Sequence, residues 1–89
     1  MMTNIDQQWR EGKTLMRMSM YKAHVYDCEN NRKHFDVPPL DWHTFKFRVW
    51  PDFEKYVSMG GDMKLRRRMQ CVDHAFNLAG HIQRKKLAV

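Results

Sequence analysis

The chain has 89 residues, enough for one domain with a small core. No apolar run approaches a signal sequence or a membrane span, so a cytoplasmic protein with no membrane partner is expected. The net charge of +6 lies wholly in the second half: residues 1–45 carry six Lys/Arg and six Asp/Glu, residues 46–89 ten and four.

A basic half of this kind suits nucleic acid or another acidic surface as partner. The plain alternative is a solvated face that keeps the protein soluble. The two cysteines, Cys28 and Cys71, form no dense pattern, so free thiols in a reducing compartment are expected. Eleven aromatics and eight methionines supply core volume and adaptable filler.

A first helix is expected from Thr3 or Asn4, which offer a side-chain cap, with Asp6 near the positive end. Ile5, Trp9, Met16, Met20 and Ala23 recur at helical spacing, flanked by Leu15 and Tyr26. Gly12 sits on the same stripe. The competing reading is a strand over residues 15–26, where Met16, Met18 and Met20 alternate with other side chains; the continuous stripe favours the helix.

Asn30 and Asn31 mark a stop, and residues 32–36 read as one short helical turn. Pro38 and Pro39 then impose extended chain. Asp41 is a good N-cap for the next segment, with Leu40, Phe45 and Val49 facing inward and His43, Thr44, Lys46, Phe47 and Arg48 outward. A strand over residues 44–50 is the alternative. Pro51 opens a short helix to Val57, with Asp52 and Glu54 in its first turn.

The segment from Leu40 to Val49, followed by Pro51, Asp52, Phe53, Glu54 and Lys55, resembles the recognition-helix region of small phage-type helix-turn-helix DNA-binding proteins. The likeness lies in the apolar residue, the capping Asp, the aromatic, the Thr and the basic residues before Val49, and in the acidic-aromatic run after Pro51. It spans residues 40–55. It departs at Pro38 and Pro39, where the family places a helix and a glycine turn, and at Trp50 and Pro51, which replace a Gly-Trp pair. The resemblance implies a DNA-binding helix over this segment.

Gly60 and Gly61 then lead to a long helix from Asp62, its expected cap, to Lys86. Leu65, Met69, Val72, Phe76 and Ala79 are expected inward, widened by Cys71, Ala75, Leu78 and Ile82. On this pattern Phe76 is buried and His74 exposed. Arg66, Arg67, Gln70, His74, Asn77, His81, Arg84 and Lys85 share the opposite side. Lys64, Arg66, Arg67 and Arg68 open the helix, and Arg84, Lys85 and Lys86 close it. Two cation clusters with amides and imidazoles between them suit phosphate binding, with hydrogen bonds to sugar or base edges.

Three further constellations stand beside this one. Trp42, Phe47, Trp50 and Phe53 interleave with Lys46 and Arg48, either as a stacking or protein-binding surface or as plain core. Cys28 and His34, with Cys71 and His74, have the composition of a zinc site, but without a paired Cys-x-x-Cys; buried thiols and a surface histidine are the simpler reading, and no metal is expected. His74 and His81 share a helix face beside Asp73, the only hint of a metal-independent ribonuclease. Nothing fixes a nucleophile, a base and an orienting group together, so neither catalytic residues nor a cofactor is expected.

The sequence thus predicts a mainly α single domain, a small bundle of about four helices with the long basic helix packed across the first. A nucleic-acid-binding protein is the expected function, a phage- or plasmid-type regulator. The binding residues expected are His43, Thr44, Lys46, Phe47 and Arg48, with Lys64, Arg66, Arg67, Gln70, His74, Asn77, His81, Arg84 and Lys85. The alternative is a protein-binding inhibitor or adaptor that docks on an acidic surface of a larger enzyme.

Overall fold

The computed structural model describes residues 4–59 and 63–88, and among these there is no strand. Helix α1 runs Asn4–Tyr26 and passes without a break into a π-helical turn, Asp27–Asn31. A 3-10 turn, Lys33–Phe35, follows. Helix α2, Trp42–Thr44, passes into a second π-helical turn, Phe45–Val49, and α3 spans Pro51–Ser58. Helix α4, Leu65–Leu87, packs on α1 and on the α2 segment. At 1.5 Å per residue α1 and α4 are each about 35 Å long, and they set the long dimension of a molecule 50 × 26 × 17 Å. The fold is the expected mainly α bundle, and both strand alternatives give way to helix.

The first π turn closes with the Arg32 N–H donating to the Asp27 carbonyl at 2.9 Å, one residue wider than an α-helical bond. The widened turn buries both Asp27 and Cys28. Asp36 ends the 3-10 turn in the left-handed region, φ 52°, which Asp tolerates better than most side chains. The chain then crosses Pro38 and Pro39 to Asp41. As expected, Asp41 caps α2: its Oδ1 accepts the Thr44 N–H at 2.7 Å. These hydrogen bonds from Thr44 hold the Asp41 carboxyl below the usual range. Pro51 has no amide to donate, and the second π turn, with Trp50 N–H bonded to Phe45 O at 3.0 Å, delivers the chain to α3.

The core is built from Met20, Leu40, Phe45, Val49, Trp50, Phe53, Val57 and Met63, against Cys71, Ala75 and Ala79 of α4. The last three place a small side chain toward the interior once per turn, so the bulky side chains of α2 and α3 sit close to the α4 backbone. Trp50 and Phe53 belong to this core, which settles their half of the aromatic cluster as packing.

Three expectations are corrected. Leu65 and Met69 do not face inward; they are 73% and 60% exposed. Phe76 and Val72 are only half-buried. α4 is apolar over roughly half its circumference, and the narrow space beside α2 accepts the small side chains, so the large ones turn outward. Phe76 is covered from one side by Phe35, 5.6 Å between ring centroids, and by the Arg32 guanidinium at 4.2 Å. Secondly, α4 starts at Leu65, with Lys64 in the cap position and no side-chain cap. Asp62, the expected cap, lies outside the described residues, as does Thr3. Met63, 2% exposed, plugs into the core, and Arg68 Nε donates to its carbonyl at 2.9 Å, which fixes where the helix begins. Thirdly, the inward stripe of α1 continues from Met16 and Met20 to His24 and Cys28, and Ala23 is exposed. The side chains of Ile5 and Trp9 lie outside the described set.

Candidate nucleic-acid interface

The polar face of α4 stands clear of the core. Lys64, Arg66, Arg67, Gln70, His74, Asn77, His81, Arg84 and Lys85 are all exposed. From Arg66 to Arg84 the face runs about 27 Å along the helix axis. Arg67 lies over the Tyr56 ring at 4.0 Å and donates to Gln70 Oε1 at 3.2 Å. His74 Nε2 lies 3.7 Å from Asp52 Oδ2, and its ring stands edge-on to Phe53. Arg68 turns back to Met63 and leaves this set.

α4 carries one acid, Asp73. Arg32 pairs with Asp73 and, through Nε at 2.9 Å, with the nearly buried Asp27. One guanidinium, shared between two carboxylates, therefore ties the end of α1 to the middle of α4. Sequence reasoning missed Arg32 in this role. The carboxylate it serves is 41 residues away in sequence, so no local spacing signals the pair.

In the α2 segment the structure brings together His43, Lys46 and Phe47 and sends Thr44 elsewhere. The His43 and Phe47 rings lie 4.6 Å apart, and Lys46 Nζ sits 5.0 Å from the Phe47 ring. Thr44, half-buried, lines a groove against Ala79 and Ile82 of α4 and serves the Asp41 cap. Arg48 is exposed. Beside this group, α1 contributes side chains the sequence reading left out. Arg17 approaches the Trp42 ring at 5.5 Å, and Tyr21 meets it edge-on at 5.2 Å. Tyr21 also donates its hydroxyl to the Leu40 carbonyl at 2.9 Å. Arg17 and Tyr21 are spaced as helical neighbours, four residues apart, which was the available signal.

The histidine nearest the core is not part of either surface. His24, fully buried, accepts the Leu40 N–H on Nε2. The neutral ring therefore carries its proton on Nδ1, which faces Cys28 Sγ at 3.8 Å. Burial pushes the imidazole pKa down to about 4; Asp27 opposes this and Arg32 adds to it. Burial likewise raises the Cys28 thiol, and pushes Cys71 up to about 12. Both are free thiols held in the protonated, unreactive form. Cys71 points into the core while His74 points to solvent, so that pair does not converge. Among the described residues no group of three or more His, Cys, Asp or Glu is arranged to hold a metal.

No protein-family model matches the chain, and comparison with curated proteins and with solved structures gave no match. Among the described residues no helix is long and apolar enough to cross a membrane.

Proposed function

We propose that this protein binds nucleic acid, with α4 laid along the phosphate backbone, and that it acts as a regulator of the phage or plasmid type. The observation that carries the reading is the exposed face of α4. It places cations at both ends and amides and imidazoles between them, with a single acid, Asp73, paired to Arg32. The two clusters are about 27 Å apart along the helix axis. The His43–Lys46–Phe47 group, within the segment that resembles a recognition helix, is the part that meets the bases.

Fluorescence anisotropy with labelled oligonucleotides over a salt series tests this. Affinity falls steeply as salt rises, and the triple variant Arg66→Glu, Arg67→Glu, Arg84→Glu loses binding with an unchanged circular dichroism spectrum. Salt-independent binding, or a triple variant that binds as well as the parent, is incompatible with phosphate contact through α4.

A second reading draws on a different observation. Leu65, Met69 and Leu87 are exposed apolar side chains beside the same cations. Apolar anchors among cations fit an acidic protein surface, as an inhibitor or adaptor would use. Recovery of one specific protein from nuclease-treated lysate, with no retention on DNA or RNA at low salt, selects this reading.

A further inference from the structure

We infer that the corner between α1 and α2 is a stacking site for unpaired nucleotides. The inference rests on the nucleic-acid reading above and names the form of nucleic acid. The site comprises the exposed ring of Phe47 and the half-buried indole of Trp42, which packs against the core. The indole is held by Tyr21 edge-on at 5.2 Å and by Phe45 stacked at 6.4 Å, and the two aromatics behind it are themselves fixed. Tyr21 is tethered to the Leu40 carbonyl, and Phe45 is fully buried. A ring fixed in advance loses little freedom when a base stacks on it.

Beside Trp42 lies a recess of about 350 Å³, lined by Met18, Tyr21, Lys22 and Trp42. Its lining holds a cation and no acid. Arg17 and Lys46 bring two more cations to the indole, at 5.5 and 5.8 Å. One α-helical step beyond His43, Phe47 is 60% exposed, with Lys46 reaching its ring as well. Lys46 therefore stands between two aromatic rings. Alternation of aromatic faces with cations is the pattern that tracks a single strand, bases on rings and phosphates on cations. A duplex offers its bases only as groove edges, with the ring faces already stacked. A large exposed phenyl ring serves duplex phosphate binding poorly and serves an unpaired base well.

The test compares fluorescein-labelled (dT)15 with a 15-base-pair duplex by anisotropy at low salt. The parent binds both, and Phe47→Ala lowers the ratio of single-strand to duplex affinity about tenfold, the effect of losing one stacked base. Lys46→Glu lowers the same ratio, and Arg66→Glu with Arg84→Glu lowers both affinities together. Trp42→Ala is read only if its circular dichroism matches the parent; Phe47 is exposed, so its variant keeps the test valid if Trp42→Ala does not fold. A ratio unchanged by Phe47→Ala and Lys46→Glu overturns the stacking site while leaving α4 as a phosphate-binding helix. Binding to the duplex alone does the same. Binding to neither oligonucleotide sinks both readings and turns the aromatic corner into a protein contact.

Discussion

The imidazole of His24 accepts the backbone N–H of Leu40 at 2.9 Å, joining α1 to the extended segment that precedes α2. The bond is fully buried and requires the neutral ring. In the unfolded chain the imidazole titrates near 6.5; in the fold it titrates at about 4. Between those values the unfolded chain binds the proton and the fold does not. The contribution is complete above pH 6.5 and is lost as the pH falls toward 4, amounting to about 3 kcal/mol in all. Urea midpoints measured from pH 7 to pH 4 therefore fall for the parent. His24→Gln, which keeps an acceptor without the titration, has a flatter profile over that range. Parallel profiles for the two proteins would remove His24 as the source.

Arg32 serves two carboxylates of unequal burial. The Asp27 side chain is 12% exposed, whereas the Asp73 side chain is 56% exposed. Arg32→Met leaves the inner carboxylate without its cation and costs about 2–3 kcal/mol. Asp73→Asn removes only the outer pair and costs under about 1 kcal/mol. Equal losses in chemical denaturation would contradict this ranking.

Gly80 lies in the middle of α4, and a Cβ built there meets nothing within 4 Å. The fold gains nothing from a glycine at that point. Gly80→Ala stabilises the protein by about 0.5–1 kcal/mol through helix propensity. Thermal unfolding followed by circular dichroism shows a rise in Tm of a few degrees; a fall would mean that α4 needs the glycine.

The two apolar sides of α4 respond oppositely to substitution. Ala75, fully buried, is overpacked by Leu, at about 1–3 kcal/mol. Leu65, 73% exposed, accepts Lys within about 0.5 kcal/mol. Comparable losses would restore the stripe centred on the large side chains.

That stripe shows how far the chain could be read in advance. Helix positions were legible because periodicity and punctuation agree: Asp41 caps, Pro51 opens α3, Pro38 and Pro39 interrupt. The side of α4 that faces inward was not legible. Hydrophobicity ranks Leu65, Met69 and Phe76 above Cys71 and Ala75, whereas the gap beside α2 selects by size. His24 was hidden for a related reason. A polar residue continuing an apolar stripe reads as the stripe's end, and only its bond to Leu40 reveals it as interior. The polar face of α4 was read correctly as exposed, because charge excludes long cations from a core whatever the packing. Of the α2 segment, Trp42, His43, Lys46 and Phe47 were legible as aromatic and basic neighbours; Arg17 and Tyr21 join them only through the α1–α2 crossing.

The two π turns carry a consequence for how the chain tolerates insertion and deletion. Each spans one residue more than the α-helical turn it replaces. Removing a residue from Phe45–Val49 allows an ordinary α-helical ladder to close, locally an improvement. Because a π turn absorbs its extra residue, the helix leaving it keeps the facing that an α-helical turn one residue shorter would give, and Trp50, Phe53 and Val57 stay turned toward the core. A deletion inside α1 or α4 has no such slack and rotates everything downstream by about 100°. A single-residue deletion in either π turn is therefore expected to be tolerated better than one in the middle of α1 or α4.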